Sequence, residues 1–111
     1  MLIIPIKKKW FKMLCSGEKT EDYREIKPYW IQRFGWQDKV FPDDSPEHPH
    51  RLVVTSITMP VIFRNGYNSN SPYLKCFVHI TKGFGRSEWG AKPKTKYFVL
   101  RIDKVLEKKT T

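Results

Sequence analysis

The spacing of apolar residues changes period several times along the chain, and each change marks an element. Leu2-Ile3-Ile4-Pro5-Ile6 is short, β-branched and apolar, with a proline that suits an edge or irregular strand. From Lys7 the period lengthens. Trp10, Phe11, Met13 and Leu14 crowd one side of a short helix, with Lys8, Lys9 and Lys12 between them, and Gly17 ends it. The helix aromatics are expected to anchor it to a sheet. Glu18 to Glu25 reads as extended, with Thr20, Asp22 and Arg24 pointing one way and Lys19, Glu21 and Tyr23 the other. Pro28 opens a second helix over 28–34, in which Tyr29, Trp30, Ile31 and Phe34 supply apolar contacts and which ends at Gly35. Residues 38–51, with three prolines and Asp43-Asp44, read as loop.

The rest is strand. Residues 52–58 alternate and then meet Met59-Pro60, and Val61 to Arg64 follows as a further apolar run. The polar stretch Asn65 to Ser71 has the composition of a hairpin tip. Tyr73 to Thr81 alternates cleanly, with Leu74, Cys76, Val78 and Ile80 on one face, until Gly83 and Gly85 break it. A last strand over Lys96 to Val105 sets Phe98, Leu100 and Ile102 on one face. Five to six strands with two short, early helices predict an α+β, mainly β fold, built as a small and partly open β-barrel over residues 1–111. Side chains fill a barrel of that size, so a ligand has to use a surface cleft. The segment after the first helix is its expected wall.

A chain of 111 residues has room for one domain, and its composition of 40% hydrophobic and 29% charged residues is that of a globular protein. No apolar run is long enough to span a bilayer. Met1 to Ile6 stops at Pro5 and a lysine run and is not read as a signal peptide. Cys15 and Cys76 sit in apolar contexts and read as reduced core thiols of a cytoplasmic protein. Charge changes the picture more. The net charge is +10, and it is uneven: residues 1–50 balance to +1, residues 51–111 to +9. No carboxylate falls between Glu47 and Glu88, whereas Arg51, Arg64, Lys75, Lys82 and Arg86 do. Such a field attracts polyanions, of which nucleic acid is the commonest. The pair His48-Pro49-His50 lacks further ligands nearby, so a solvated loop is expected there and no metal.

Six of the eight residues from Glu18 to Glu25 are charged, so this strand has no apolar face. A strand polar on both faces adds little to a core, and at least one face is expected to serve a site. Arg24 offers a planar fork for phosphate or a base edge, and Lys19 a compact donor that can transfer a proton when desolvated. Asp22, beside Arg24, can accept from the exocyclic amines of a base. Trp89 is a candidate stacking platform, with Arg86 close in sequence. The competing structural reading makes Asp22 and Arg24 an ion pair that closes a barrel end, with Trp89 packed.

The run from Lys8 to Arg24, with Gly17-x-Lys19 and Arg24 directly after a helix, resembles the ASCH domain of the PUA-like superfamily. Glu88-Trp89-Gly90 and the Tyr97-Phe98-Val99-Leu100 strand resemble its small bacterial and phage members, and the likeness spans nearly the whole chain. The resemblance implies a PUA-like β-barrel and a role with RNA. Some members bind RNA, one cleaves it, and one hydrolyses acetylcytidine with a lysine, a threonine and a glutamate. Carried over, these would be Lys19, Asp22 in place of the threonine, and Glu88, with Thr20 a near neighbour.

The expected function is RNA or nucleotide binding, by Lys19, Thr20, Glu21, Arg24, Arg86 and Trp89. The alternative is a small hydrolase of a modified nucleoside, or an RNA-cleaving enzyme, with Lys19, Asp22 and Glu88 catalytic. Asp22 lacks the hydroxyl of a threonine nucleophile, so the hydrolase would activate water directly. Metal-assisted cleavage could draw on Glu21, Asp22 and Glu88, but the basic field opposes a cation. The expected partner is therefore RNA, a nucleotide or a nucleoside, with no cofactor and no membrane. A monomer is expected, a dimer being the alternative.

Overall fold

The computed structural model describes residues 1–37, 39–41 and 50–110. Its elements in chain order are β1 (Leu2–Pro5), α1 (Lys8–Ser16), β2 (Glu21–Glu25), α2 (Pro28–Phe34), β3 (Lys39–Phe41), β4 (His50–Leu52), β5 (Ile57–Arg64), β6 (Tyr73–Phe84) and β7 (Lys96–Lys109). A 3₁₀ turn, Ser87–Trp89, lies between β6 and β7.

Five strands form one mixed sheet in the order β1-β5-β6-β7-β2, in which only β1 and β5 run parallel. The fold is α+β and mostly strand. The ladder does not close: β1 and β2 are its two margins and share no backbone pairing. What joins them is a side chain. Arg24, on β2, donates from Nη2 to the carbonyl oxygen of Pro5, on β1, at 3.0 Å.

Both helices are delimited as their sequences predict. Gly17 takes φ 84°, the left-handed conformation that glycine adopts without a Cβ penalty, and its N–H donates to the Leu14 carbonyl. Pro28 opens α2, where its missing N–H has no helical partner to lose. Phe11 and Leu14 of α1, with Trp30 and Phe34 of α2, cover the sheet residues Ile4, Val61, Phe63, Leu74, Cys76, Val78, Ile80, Phe98 and Leu100. Phe34 meets Phe98 edge-on at 5.2 Å and stacks on Trp30 at 5.3 Å. Each fully buried aliphatic or aromatic side chain contributes about 1.5–3 kcal/mol. Among the described residues no helix is long and apolar enough to cross a membrane.

Several boundaries differ from expectation. Pro60 does not interrupt a strand: β5 runs through it, with Pro60 opposite Phe77. The reach of β1 stops at Leu2, opposite Val61, so Pro60 costs no ladder bond to β1. Residues 53–56, expected as strand, are outside any element, while β3 and β4 pair within the expected loop. His48 lies outside the described residues, and the His-x-His pair with it. Gly83 stays in β6, opposite Tyr97, and the strand ends only at Phe84. Cys76 is fully buried, which pushes its thiol up to about 12, whereas Cys15 only packs against the core. The last strand runs on to Lys109. Past Arg101 it leaves β2 behind, and Val105 and Leu106 are exposed there.

Candidate functional site

The gap between the two sheet margins opens into a cleft of about 540 Å³. Cross-strand register explains its chemistry. Asp22 stands opposite Leu100 and Arg24 opposite Phe98, so both polar residues of β2 share the face of two fully buried core residues. Charges placed there must be compensated, and they are. Asp22 Oδ2 accepts from Arg24 Nε at 2.7 Å, and Asp22 Oδ1 accepts from Lys19 Nζ at 3.4 Å.

Lys19 does not obey strand parity, because it precedes β2. Its N–H donates to the Met13 carbonyl at 3.0 Å, which turns the chain back over the last turn of α1 and brings the ammonium to Asp22. This corrects the expectation that Lys19 faces away from Asp22. The Lys19 side chain is 2% exposed, and its ammonium lies 4.7 Å from the Trp10 ring centroid. Burial lowers the Lys19 pKa, and Asp22 offsets part of that.

Aromatic rings from five places line the same space: Trp10 of α1, Tyr23 of β2, Tyr67 of the β5–β6 connection, Trp89 of the 3₁₀ turn and Tyr97 of β7. Tyr23 fastens β2 to the β6–β7 connection. Its hydroxyl donates to Glu21 at 2.9 Å and accepts from the Arg86 N–H at 2.9 Å, and burial pushes it up to about 12. The folded chain thus keeps this proton between pH 10 and 12 while the unfolded chain releases it. Stability should fall as pH climbs through that window. Lys19 acts oppositely: between its lowered value and 10.5 the unfolded chain binds the extra proton, so stability rises with pH. The check is chemical denaturation across this range. Tyr23→Phe should flatten the alkaline decline, and an unchanged slope would show that Tyr23 does not cause it.

The sequence-predicted residues divide into two groups. Lys19, Asp22, Arg24 and Trp89 line the cleft. Thr20 is exposed, and its carbonyl accepts from the Ile102 N–H. Glu21 is engaged by Tyr23. Glu88 pairs with Arg86 at 3.5 Å, and both side chains are more than 60% exposed, outside the lining. Arg86 lies over the buried Trp89 ring at 4.7 Å, so Trp89 is a packed wall and not an open platform. Glu21, Asp22 and Glu88 do not gather, and among the described residues no three His, Cys, Asp or Glu side chains are grouped to hold a metal.

Other lining residues were not singled out from sequence. Trp10 packs against the core as expected, but it is only half-buried and also lines the cleft. Lys7, Arg64 and Asn65 form the rim on the β1–β5 side. The carboxylate-free stretch between Glu47 and Glu88 was the available signal for Arg64. Compared with protein-family models, curated proteins and solved structures, the chain has no significant match.

Proposed function

We propose that the protein binds RNA or a nucleotide in this cleft, as an ASCH-type domain of the PUA-like superfamily. The observation that carries the reading is the lining itself: among the described residues, Lys7, Lys19, Arg24 and Arg64 stand against the single carboxylate of Asp22, interleaved with aromatic rings. Cations suit phosphate and rings suit a base, and the two together favour a nucleotide over a simple anion. The volume falls within the roughly 300–1,000 Å³ of small-ligand clefts, which favours one unstacked residue of RNA over a duplex. The Gly17-x-Lys19 motif with Arg24, and sheet margins clasped by Arg24, support the superfamily assignment and a barrel whose last seam is bridged by a side chain.

The test is binding of short single-stranded RNA at salt between about 50 and about 200 mM. The logarithm of affinity should fall by roughly 0.7 per decade of salt for each phosphate neutralised. An affinity that ignores salt would exclude the reading.

One observation favours a second reading, hydrolysis of a modified nucleoside: Lys19 is buried beside Asp22 with its pKa lowered, as suits proton transfer. With Glu88 outside the lining, Lys19 and Asp22 would have to carry the chemistry alone. Release of cytidine from acetylated cytidine, abolished by Lys19→Ala, would establish it. An unchanged substrate after long incubation at high protein concentration would remove it.

A further inference from the structure

We propose that Arg64, and not the motif arginine Arg24, forms the anion subsite of the cleft, so that the cleft selects a phosphate-bearing nucleotide over the bare nucleoside. This rests on the reading of the cleft as a nucleotide site and adds which residue discriminates among its ligands.

The argument starts from which cations are already occupied. Arg24 spends Nε on Asp22 and Nη2 on the Pro5 carbonyl, and its guanidinium lies 5.3 Å from the Trp30 ring centroid. Lys19 is held on Asp22 between the Trp10 and Tyr23 rings. Both are tied into the fold, and moving either toward a ligand would strip Asp22 of a partner. Arg64 differs. It ends β5, opposite Pro5 of β1 and Tyr73 of β6, and lines the cleft. Among the described residues it makes no ion pair, and its Nε–H is screened from water without an acceptor.

The backbone beneath Arg64 is fixed. Its carbonyl accepts from the Ile6 N–H at 3.0 Å, and the neighbouring Asn65 side chain donates to the Ile6 carbonyl at 2.9 Å. The guanidinium therefore stands on an anchored root with its donors uncommitted, and Lys7 lines the same rim. A buried donor left unmade destabilises the empty cleft, and an acceptor brought by a ligand relieves it. A phosphate matches best, because its oxygens accept two parallel N–H bonds from the guanidinium plane after a small side-chain rotation. The base then falls on the aromatic side, toward Trp10 and Tyr97.

Calorimetry on the full chain tests this with ribonucleoside monophosphates, the matching nucleosides and inorganic pyrophosphate. The monophosphates should bind the wild type tighter than the nucleosides by roughly tenfold or more, the worth of a charged hydrogen bond. Arg64→Gln should abolish that preference and leave nucleoside affinity unchanged, and Arg64→Lys should restore part of it as a point charge. A preference that survives Arg64→Gln, or a wild type that treats both ligands alike, would overturn the proposal. Arg64→Gln breaks no bond of the fold, and if it nevertheless melts early, a preference weakened in Arg64→Lys decides the matter. If the wild type binds neither nucleoside nor nucleotide, the nucleotide reading fails by itself. Pyrophosphate binding that Arg64→Gln abolishes then upholds the anion subsite, and absent pyrophosphate binding overturns it.

Discussion

Asp22→Ala is expected to lower the unfolding free energy by about 3–5 kcal/mol, the cost of leaving buried charge without its partner. Among the described residues Asp22 is the one carboxylate in contact with both Lys19 and Arg24, on the face of the sheet that also holds Phe98 and Leu100. Its removal leaves the buried Lys19 side chain with no counter-ion among the described residues and frees Arg24 from one of its two anchors. The loss of structure should be cooperative, because Arg24 also bridges the sheet margins. Urea denaturation measures the effect. Pairing the change with Lys19→Met should recover part of the loss, since the remaining buried charge goes with it. A loss below about 1 kcal/mol, the scale of an exposed pair, would mean that the cluster is open to water and that the compensation argument is wrong.

Gly85→Val should cost about 1–3 kcal/mol, the usual range for overpacking, through collisions with two neighbours. A Cβ at Gly85 would lie 2.6 Å from Cζ of Tyr23 and 2.7 Å from Cβ of Ala91. The Tyr23 ring cannot swing aside. Its hydroxyl is held by Glu21 and by the Arg86 N–H, and its ring packs 5.8 Å from that of Tyr97. The substitution must therefore push out the 85–91 connection, and with it the Trp89 wall of the cleft. In a Tyr23→Ala background the same change should cost less, with only the collision with Ala91 remaining, which a double-mutant cycle reads directly. An unchanged stability for Gly85→Val in the wild-type background would show that the connection is loosely seated.

Much of this could be read from the chain alone where a local rule decides the outcome. Gly17 and Pro28 bound their helices because their backbone preferences act within a few residues, and the 74-76-78-80 alternation of β6 is fully buried as expected. Pro60 misled because a proline's cost in a strand depends on which neighbour lies beside it. That neighbour, β1, comes from the other end of the chain. The site divides in the same way. Asp22 and Arg24 share a face through strand parity. Lys19 joins them only through the turn that follows α1, which parity cannot describe. Arg64, Trp10 and Tyr97 come from three separate elements, and only the assembled sheet gathers them. Closing the expected, partly open barrel would need a final ladder between β1 and β2, and one guanidinium stands in its place.

The far half of β7 has a consequence for how copies of this chain meet. Past Arg101 one flank of the strand carries main-chain donors and acceptors without a neighbouring strand of the sheet, beside exposed Val105 and Leu106. Such a rim is a template for edge-to-edge self-association. Lys104 and Lys109 stand along it, the placement of charge by which edge strands resist pairing with a second copy of themselves.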